Sequence, residues 1–316
     1  MASKSRKSIW ISFRHVLEYA ALRLLAGLLR LMGIDAASAM MGRAWQKVGP
    51  HTRRHERVKA NLTRAFPDLP KARIDEIALQ QWNNLGRTFA ESFLIDRFFA
   101  EPDRIDFRAG PIADRLEGSG KGFVLVSLHT ANWELICIPV AGRFELTGLY
   151  QKLSNPLADD YLTAMRRTIY RGGLLSKSVS TPRTAMRIAR DGGGVAILAD
   201  QRERKGIEVE FFGQKTKANP FPAMIARRLD IPLVAGRTVR TGGARFHVEA
   251  AIIDPVRTDD ASADVEAITQ AIQKQFEDWI RDCPGQWMWI HDRWRIGHPR
   301  RGRRRPALDK SGPSAN

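Results

Sequence analysis

The chain has 316 residues, 43% of them hydrophobic, enough apolar surface for one large or two ordinary domains, and is neither a small stapled fold nor a disordered chain. Lysine and arginine total 51 against 34 aspartate and glutamate, a formal charge of +17 that draws acidic partners: nucleic acid, anionic lipid or an acidic protein. Only two cysteines occur, Cys137 and Cys283, far apart and without ligand-type neighbours at metal spacing, which argues against a disulfide framework or a zinc module. No metal and no cofactor is expected.

At the N-terminus Lys4, Arg6 and Lys7 precede an apolar-rich stretch from Ile9 to Gly42. Arg14, Glu18, Arg23 and Arg30 interrupt it, leaving less than the roughly 18 uncharged residues of a simple spanning helix. At about 100° per residue, Leu17, Ala21, Leu24, Leu25, Leu28, Leu29 and Leu31 form a broad apolar stripe opposite Arg23 and Arg30, which predicts an amphipathic helix. Packing on its own domain and lying in a bilayer interface both suit such a helix. Ala37-Ser38-Ala39 resembles a signal-peptidase site, but the preceding residues are too charged for a good apolar core, and cleavage is not expected.

From His51 to about Asp106 the pattern is helical, broken at Pro67 and Pro70, with Ile74, Ile77, Trp82, Leu85, Phe89 and Phe93 recurring at three and four. After Gly118 and Gly120 the texture changes. Phe123 to Leu128 reads as a buried strand, followed by a helix and a second strand over Leu146 to Tyr150. Helices are predicted over Leu157 to Tyr170 and Thr184 to Arg190, each closed by glycines, and a third strand over Val195 to Ala199. Strands over Ile207 to Phe212, Leu233 to Val239 and Phe246 to Ile252 precede a last helix from Ala263 to Arg281. This alternation predicts an α/β fold with a largely parallel sheet flanked by helices. Four segments follow: a membrane-associated helical segment at 1–50, a helical layer at 51–115, a catalytic α/β region at 116–298 and an arginine-rich tail at 299–316.

The sharpest chemical feature is His129-Thr130-Ala131-Asn132-Trp133-Glu134, directly after the first predicted strand. On one continuous helix the two ionisable side chains stand about 140° apart. With His129 in the strand-to-helix loop and Glu134 in the first helical turn they can meet, in the crevice where α/β sheets bind ligands. A carboxylate on one imidazole nitrogen leaves the other free as a base toward a hydroxyl. A hydrogen-bonded structural histidine fits the same residue types. Asp200, at the end of the third predicted strand, projects toward the same crevice or caps the next segment. Cys137 is a candidate acyl nucleophile by type, but its apolar surroundings predict an inert thiol.

The H-x-x-x-x-E pair after a strand resembles the catalytic motif of the lysophospholipid acyltransferase superfamily. H-T-A-N-W-E is similar to the H-x-G-N-W-E form of its bacterial lipid A acyltransferase branch. Asn61-Leu62 with Ala65-Phe66-Pro67, Asn84-Leu85-Gly86-Arg87, Ala199-Asp200-Gln201, Phe211-Phe212-Gly213 and Gln286-Trp287-Met288-Trp289-Ile290-His291 extend the likeness in order from about residue 50 to 295. The resemblance implies an acyltransferase in which His129 is the general base and Glu134 orients it. It adds Arg167, chosen from Arg166, Arg167 and Arg171, with Asp200, Gln201 and Asn132, as substrate-binding residues. It further implies an acyl carrier protein thioester as donor, a lipid A precursor as acceptor and the cytoplasmic face of a bacterial inner membrane as location, with other glycolipids or lysolipids as alternative acceptors and a non-catalytic membrane-binding module as the other alternative. The basic surface then serves anionic membrane lipid and the acidic carrier. Trp287, Trp289 and Trp294 suit either a core or a membrane interface. No nucleic-acid fold is recognisable, and nucleic acid is not an expected partner. Two departures stand out: Ala131 occupies a position where the branch commonly has glycine, and Thr216 to Pro222 fits the branch poorly.

Overall fold

The computed structural model describes residues 2–254 and 256–295, with side chains from residue 13 onward, so the arginine-rich tail lies outside the described residues. A seven-stranded sheet organises the chain. Its strands are β1 (Ile105–Phe107), β2 (Phe123–Ser127), β3 (Leu146–Tyr150), β4 (Gly173–Ser176), β5 (Gly194–Leu198), β8 (Leu233–Gly242) and β9 (Arg245–Ile252). They run in the order β1-β9-β8-β2-β5-β3-β4, parallel throughout except for the β8-β9 hairpin. All five residues of β2 are buried, as expected for a central strand covered on both faces.

Helices flank the sheet: α6 (Gly110–Ser119), α7 (Pro156–Arg166), α8 (Thr181–Arg190), α9 (Phe221–Leu229) and α10 (Ala261–Asp282). An N-terminal helical layer comprises α1 (Ala2–Leu31), α2 (Ile34–Val48), α3 (Arg53–Ala65), α4 (Lys71–Glu91) and α5 (Ile95–Ala100). Close approach of α2 and α4 explains one glycine of the Asn84-Leu85-Gly86-Arg87 block. A Cβ at Gly86 would lie 2.4 Å from the Met41 carbonyl oxygen and 2.7 Å from the Trp45 Cβ.

Three strands go beyond the predicted set: β1, β4 and the second arm of a separate hairpin, β6 (Ile207–Phe211) with β7 (Gln214–Ala218). The first two are only three and four residues long, and β7, Gln-Lys-Thr-Lys-Ala, exposes alternate residues and so reads as polar. The hairpin turn is Phe212-Gly213, at φ +54° and +66°, two consecutive left-handed residues as a tight type I′ connection requires. A phenylalanine in that region is strained. It is held by the Glu277 carboxylate accepting its N–H at 2.6 Å, by the Trp289 and Trp294 rings and by the Arg281 guanidinium over its face. Trp287, Trp289 and Trp294 are buried, which places all three in the core and removes them from any membrane interface.

The N-terminal helix departs from the expected pattern. Leu29 and Ala26 pack on the protein, but Leu17, Leu24, Leu28 and Leu31 of the apolar stripe face outward, Leu24 at 67% and Leu31 at 86% exposure. Arg30 turns back to Asp96, and Arg23 lies over the Tyr161 ring. The helix is therefore apolar on its packed side and again on its open side, with the arginines between. Among the described residues no helix is long and apolar enough to cross a membrane.

Candidate active site

Strands β2 and β5 pair in parallel with Ser127 opposite Leu198, so the residues two positions beyond each, His129 and Asp200, leave the sheet side by side. His129 Nδ1 lies 2.7 Å from Asp200 Oδ1, while the His129 backbone N–H donates to Asp200 Oδ2 at 2.8 Å. The Trp287 indole donates to the same Oδ2 at 2.7 Å. Burial by itself raises the Asp200 pKa, but the adjoining His129 ring and these donors outweigh it and hold the carboxyl at about 2. An ionised Asp200 keeps the imidazole proton on Nδ1 and leaves Nε2 as the basic lone pair. The Gln201 side-chain nitrogen lies 3.4 Å from Nε2, and the Trp133 ring packs edge-on against the imidazole with centroids 4.9 Å apart.

Because the folded pKa of Asp200 is depressed, its contribution to stability is complete above the unfolded value of about 3.8 and is lost as pH falls toward about 2. An acid titration of unfolding is therefore expected to show a steeper loss between those values for wild type than for Asp200→Asn. Equal slopes would show that the dyad is not coupled to folding.

The carboxylate on the imidazole is thus Asp200 and not the expected Glu134. A 3₁₀ helix over Trp133–Val140 starts immediately after the loop, with Asn132 as its N-cap accepting the Glu134 N–H at 3.2 Å. This short-pitch turn directs the Glu134 side chain to Arg166, whose Nη2 lies 2.5 Å from Glu134 Oε1. Burial by itself lowers the Arg166 pKa, but the facing Glu134 charge prevails and the guanidinium is held above its ordinary value. Arg166 therefore takes the place assigned to Arg167, which is exposed at the C-cap of α7, as Arg171 is beyond it. Asn132 does not line the cavity either. It is fully buried, and its second group, Nδ2, donates to Glu91 Oε2 at 3.0 Å. Asp200, with both oxygens engaged, orients His129, whereas Gln201 does line the cavity.

The loop between β2 and the 3₁₀ helix is over-determined. Ala131 adopts φ +46°, where a Cβ is unfavourable, which accounts for glycine as the expected residue there. Its carbonyl accepts from Asn84 Nδ2 at 3.2 Å and Thr88 Oγ1 at 2.5 Å, and its N–H donates to the Gln286 carbonyl at 3.0 Å. The His129 carbonyl accepts from the Met288 N–H at 3.0 Å, and Asn61 donates to the Trp289 and His291 carbonyls. The outlying sequence blocks therefore converge on one loop. Asn84, Thr88 and Glu91 stand at i, i+4 and i+7 on α4, one polar face of a buried helix. That spacing was the available signal for Thr88 and Glu91, which sequence reasoning missed along with Arg240.

His129, Trp133, Glu134, Arg166 and Gln201 line one end of a cavity of about 450 Å³. Its floor is a row of register partners across four strands, Leu125, Ala196, Gly148 and Leu174. Small residues on the two middle strands open an apolar trough, and a Cβ at Gly148 would come within 2.9 Å of the Leu174 and Tyr170 side chains. Cys137 also lines it, but burial pushes its thiol up to about 12, so no nucleophilic thiolate forms near neutrality. Cys137→Ala is expected to retain acyl transfer within about threefold, with a modest stability loss. A fall to the His129→Ala level in the same assay would make the thiol an intermediate carrier.

Curated relatives align with about three quarters of this chain. A "Phosphatidylinositol mannoside acyltransferase" of Mycobacterium tuberculosis (strain ATCC 25618 / H37Rv) is 26% identical over 257 residues, covering 76% of this chain and 77% of its own. Its namesake from Mycolicibacterium smegmatis (strain ATCC 700084 / mc(2)155) is 25% identical over 264 residues, with 76% and 79% covered. The family model described as "Bacterial lipid A biosynthesis acyltransferase" matches residues 7–296. With a histidine–aspartate pair at the carboxyl end of a parallel sheet and an apolar trough beneath it, the chain belongs to the bacterial lipid A biosynthesis acyltransferase family and is an acyl-transferring enzyme.

Proposed function

We propose that the enzyme moves a long acyl chain from a carrier thioester to a sugar hydroxyl of a phosphorylated membrane glycolipid. The observation that carries this reading is the His129–Asp200 pair at the head of an apolar trough. The acyl chain lies in the trough with its thioester beside His129. Nε2 takes the proton of the acceptor hydroxyl as its oxygen bonds to the thioester carbon, and the carbonyl π pair moves onto oxygen. Collapse of the tetrahedral intermediate re-forms the carbonyl, breaks the C–S bond and releases the thiol, protonated by the imidazolium. Glu134 and Arg166 line the same end of the cavity as a polar pair suited to orienting acceptor hydroxyls and ester oxygens.

Two acceptors fit. The family description favours a lipid A precursor, and the named relatives favour a mannosylated phosphatidylinositol. Both present sugar hydroxyls near a phosphate at a bilayer. The exposed apolar side of α1, Leu17, Leu24, Leu28 and Leu31, supports seating on the membrane surface, and the +17 charge supports attraction to anionic lipid. The same charge favours an acidic acyl carrier protein as donor, with Lys177 and Arg202 at the cavity wall placed for phosphate contact. The cytoplasmic face of the inner membrane is where such a donor and acceptor meet.

The test is transfer of palmitate from acyl carrier protein and from coenzyme A to each glycolipid in vesicles, by wild type and His129→Ala. Product from one glycolipid with wild type alone supports the reading and names the acceptor. Transfer to lysophospholipid in preference to both glycolipids would replace the acceptor class.

A further inference from the structure

Strand β2 carries one polar side chain, Ser127, into the catalytic cavity. It lies two residues before His129, at the end of the strand, and both residues line the same cavity. Ser127 is 5% exposed, and among the described residues its Oγ has no hydrogen-bonding partner. Its neighbours in register, Leu198 and Gly236, offer no side-chain acceptor. Other polar side chains lining the cavity are engaged: His129 with Asp200, Glu134 with Arg166, and Gln201 against the imidazole. A buried hydroxyl left unpaired costs the free enzyme stability, and alanine would fill the same position without that cost.

We infer that Ser127 Oγ donates a hydrogen bond to the carbonyl oxygen of the acyl thioester as that oxygen becomes an oxyanion. The inference rests on the reading of His129 as the base acting at that carbonyl. When the hydroxyl oxygen of the acceptor attacks, one electron pair leaves the C=O π bond for oxygen, within reach of a donor placed between the trough and the imidazole. Ser127 occupies that place, at the junction of the apolar floor residue Leu125 and the polar head group residue His129. A donor left unpaired in the free enzyme is available when the negative charge develops, and donors aimed at that charge are the groups that accelerate acyl transfer most.

The experiment compares wild type, Ser127→Ala and His129→Ala in vesicles holding both glycolipids, with palmitoyl-coenzyme A as donor and free thiol as the readout. Thiol release counts transfer to any acceptor, water included. Binding of hexadecyl-coenzyme A, a thioether that keeps the chain and carrier but lacks the carbonyl oxygen, and Tm are measured on the same proteins. Ser127→Ala is expected to lower kcat about 100-fold with KM within twofold. Thioether binding is expected to be unchanged, and Tm equal to or above that of wild type. A kcat within about twofold of wild type overturns the inference, as does weaker thioether binding matching the loss in rate, or a fall in Tm that accompanies it. If neither glycolipid is acylated while thiol release still depends on His129 and Ser127, the acceptor proposal fails and this inference stands. Thiol release that survives in His129→Ala but not in Ser127→Ala removes the base and retains the oxyanion donor.

Discussion

Asp200→Asn is expected to lower kcat by about 10³–10⁴, close to the loss in His129→Ala, with KM little changed. The carboxylate accepts two kinds of donor at once, the imidazole Nδ1–H at 2.7 Å and the His129 backbone N–H at 2.8 Å, with the Trp287 indole completing its shell. Asparagine preserves the volume but places an oxygen and an NH₂ where two oxygens stood. The backbone N–H and the indole both point at Oδ2 and are fixed donors, so the amide oxygen settles there and the NH₂ faces Nδ1. Nδ1 must then accept, which moves the ring proton to Nε2 and removes the base from the side facing the acceptor. The loss is one of tautomer rather than of substrate binding, so it appears in kcat. Glu134→Gln gives the contrast: it leaves the His129–Asp200 pair intact and disturbs the bond to Arg166, so it is expected to raise KM for the acceptor more than it lowers kcat. Steady-state kinetics of the two variants with one donor and one acceptor decide the assignment. A larger kcat loss in Glu134→Gln than in Asp200→Asn would restore Glu134 as the partner of the base.

The strands that matter for the site were legible because they are buried on both faces and so read as unbroken apolar runs: Phe123 to Leu128 and Val195 to Ala199 foretold two strands of a largely parallel sheet, and the structure pairs them side by side. The position of His129 at a strand end followed from that alone. What did not follow was the partner of its imidazole. Spacing along the chain favours Glu134, five residues away, whereas Asp200 is 71 residues away and becomes a neighbour only through the pairing of β2 with β5. Likewise the choice among Arg166, Arg167 and Arg171 depends on where α7 ends, and the helix stops at Arg166, short of the Tyr170 suggested by the glycine pair. The apolar stripe of α1 was visible, but a stripe does not say which way it faces. Leu29 is buried and Leu28, its neighbour in sequence, is open because the layer beneath covers only one side of the helix.

Arg240→Met is expected to destabilise the fold by about 3–5 kcal/mol, the cost of leaving a buried charge without its counter-ion. Glu91, at 0% exposure, accepts from Arg240 through Nη1 to Oε1 at 2.5 Å and Nη2 to Oε2 at 3.0 Å, a bidentate pair. Ser38 Oγ and Asn132 Nδ2 also donate to it, at 2.7 and 3.0 Å. The pair therefore ties α2, α4 and β8 to the loop that carries His129. Truncating Arg240 leaves the Glu91 carboxylate with two neutral donors, and it either stays short of partners or draws Asn132 toward itself. Asn132 is the N-cap of the 3₁₀ helix that presents Glu134, so the second course shifts the Glu134–Arg166 pair as well. The double variant Arg240→Met, Glu91→Met removes both charges, and is expected to recover more than half of the stability lost by Arg240→Met, because the penalty resides in the orphaned carboxylate and not in the missing arginine. Urea unfolding of the three proteins measures this directly. Equal losses in the single and double variants would mean that packing of the arginine stem against the Phe246 ring, 4.6 Å from its guanidinium carbon, carries the effect instead. The double variant also separates folding from function: with Asn132 deprived of its acceptor, the loop loses a tether at Ala131–Asn132, and recovered stability without recovered kcat identifies the Glu91 carboxylate as the group that holds the catalytic loop in register.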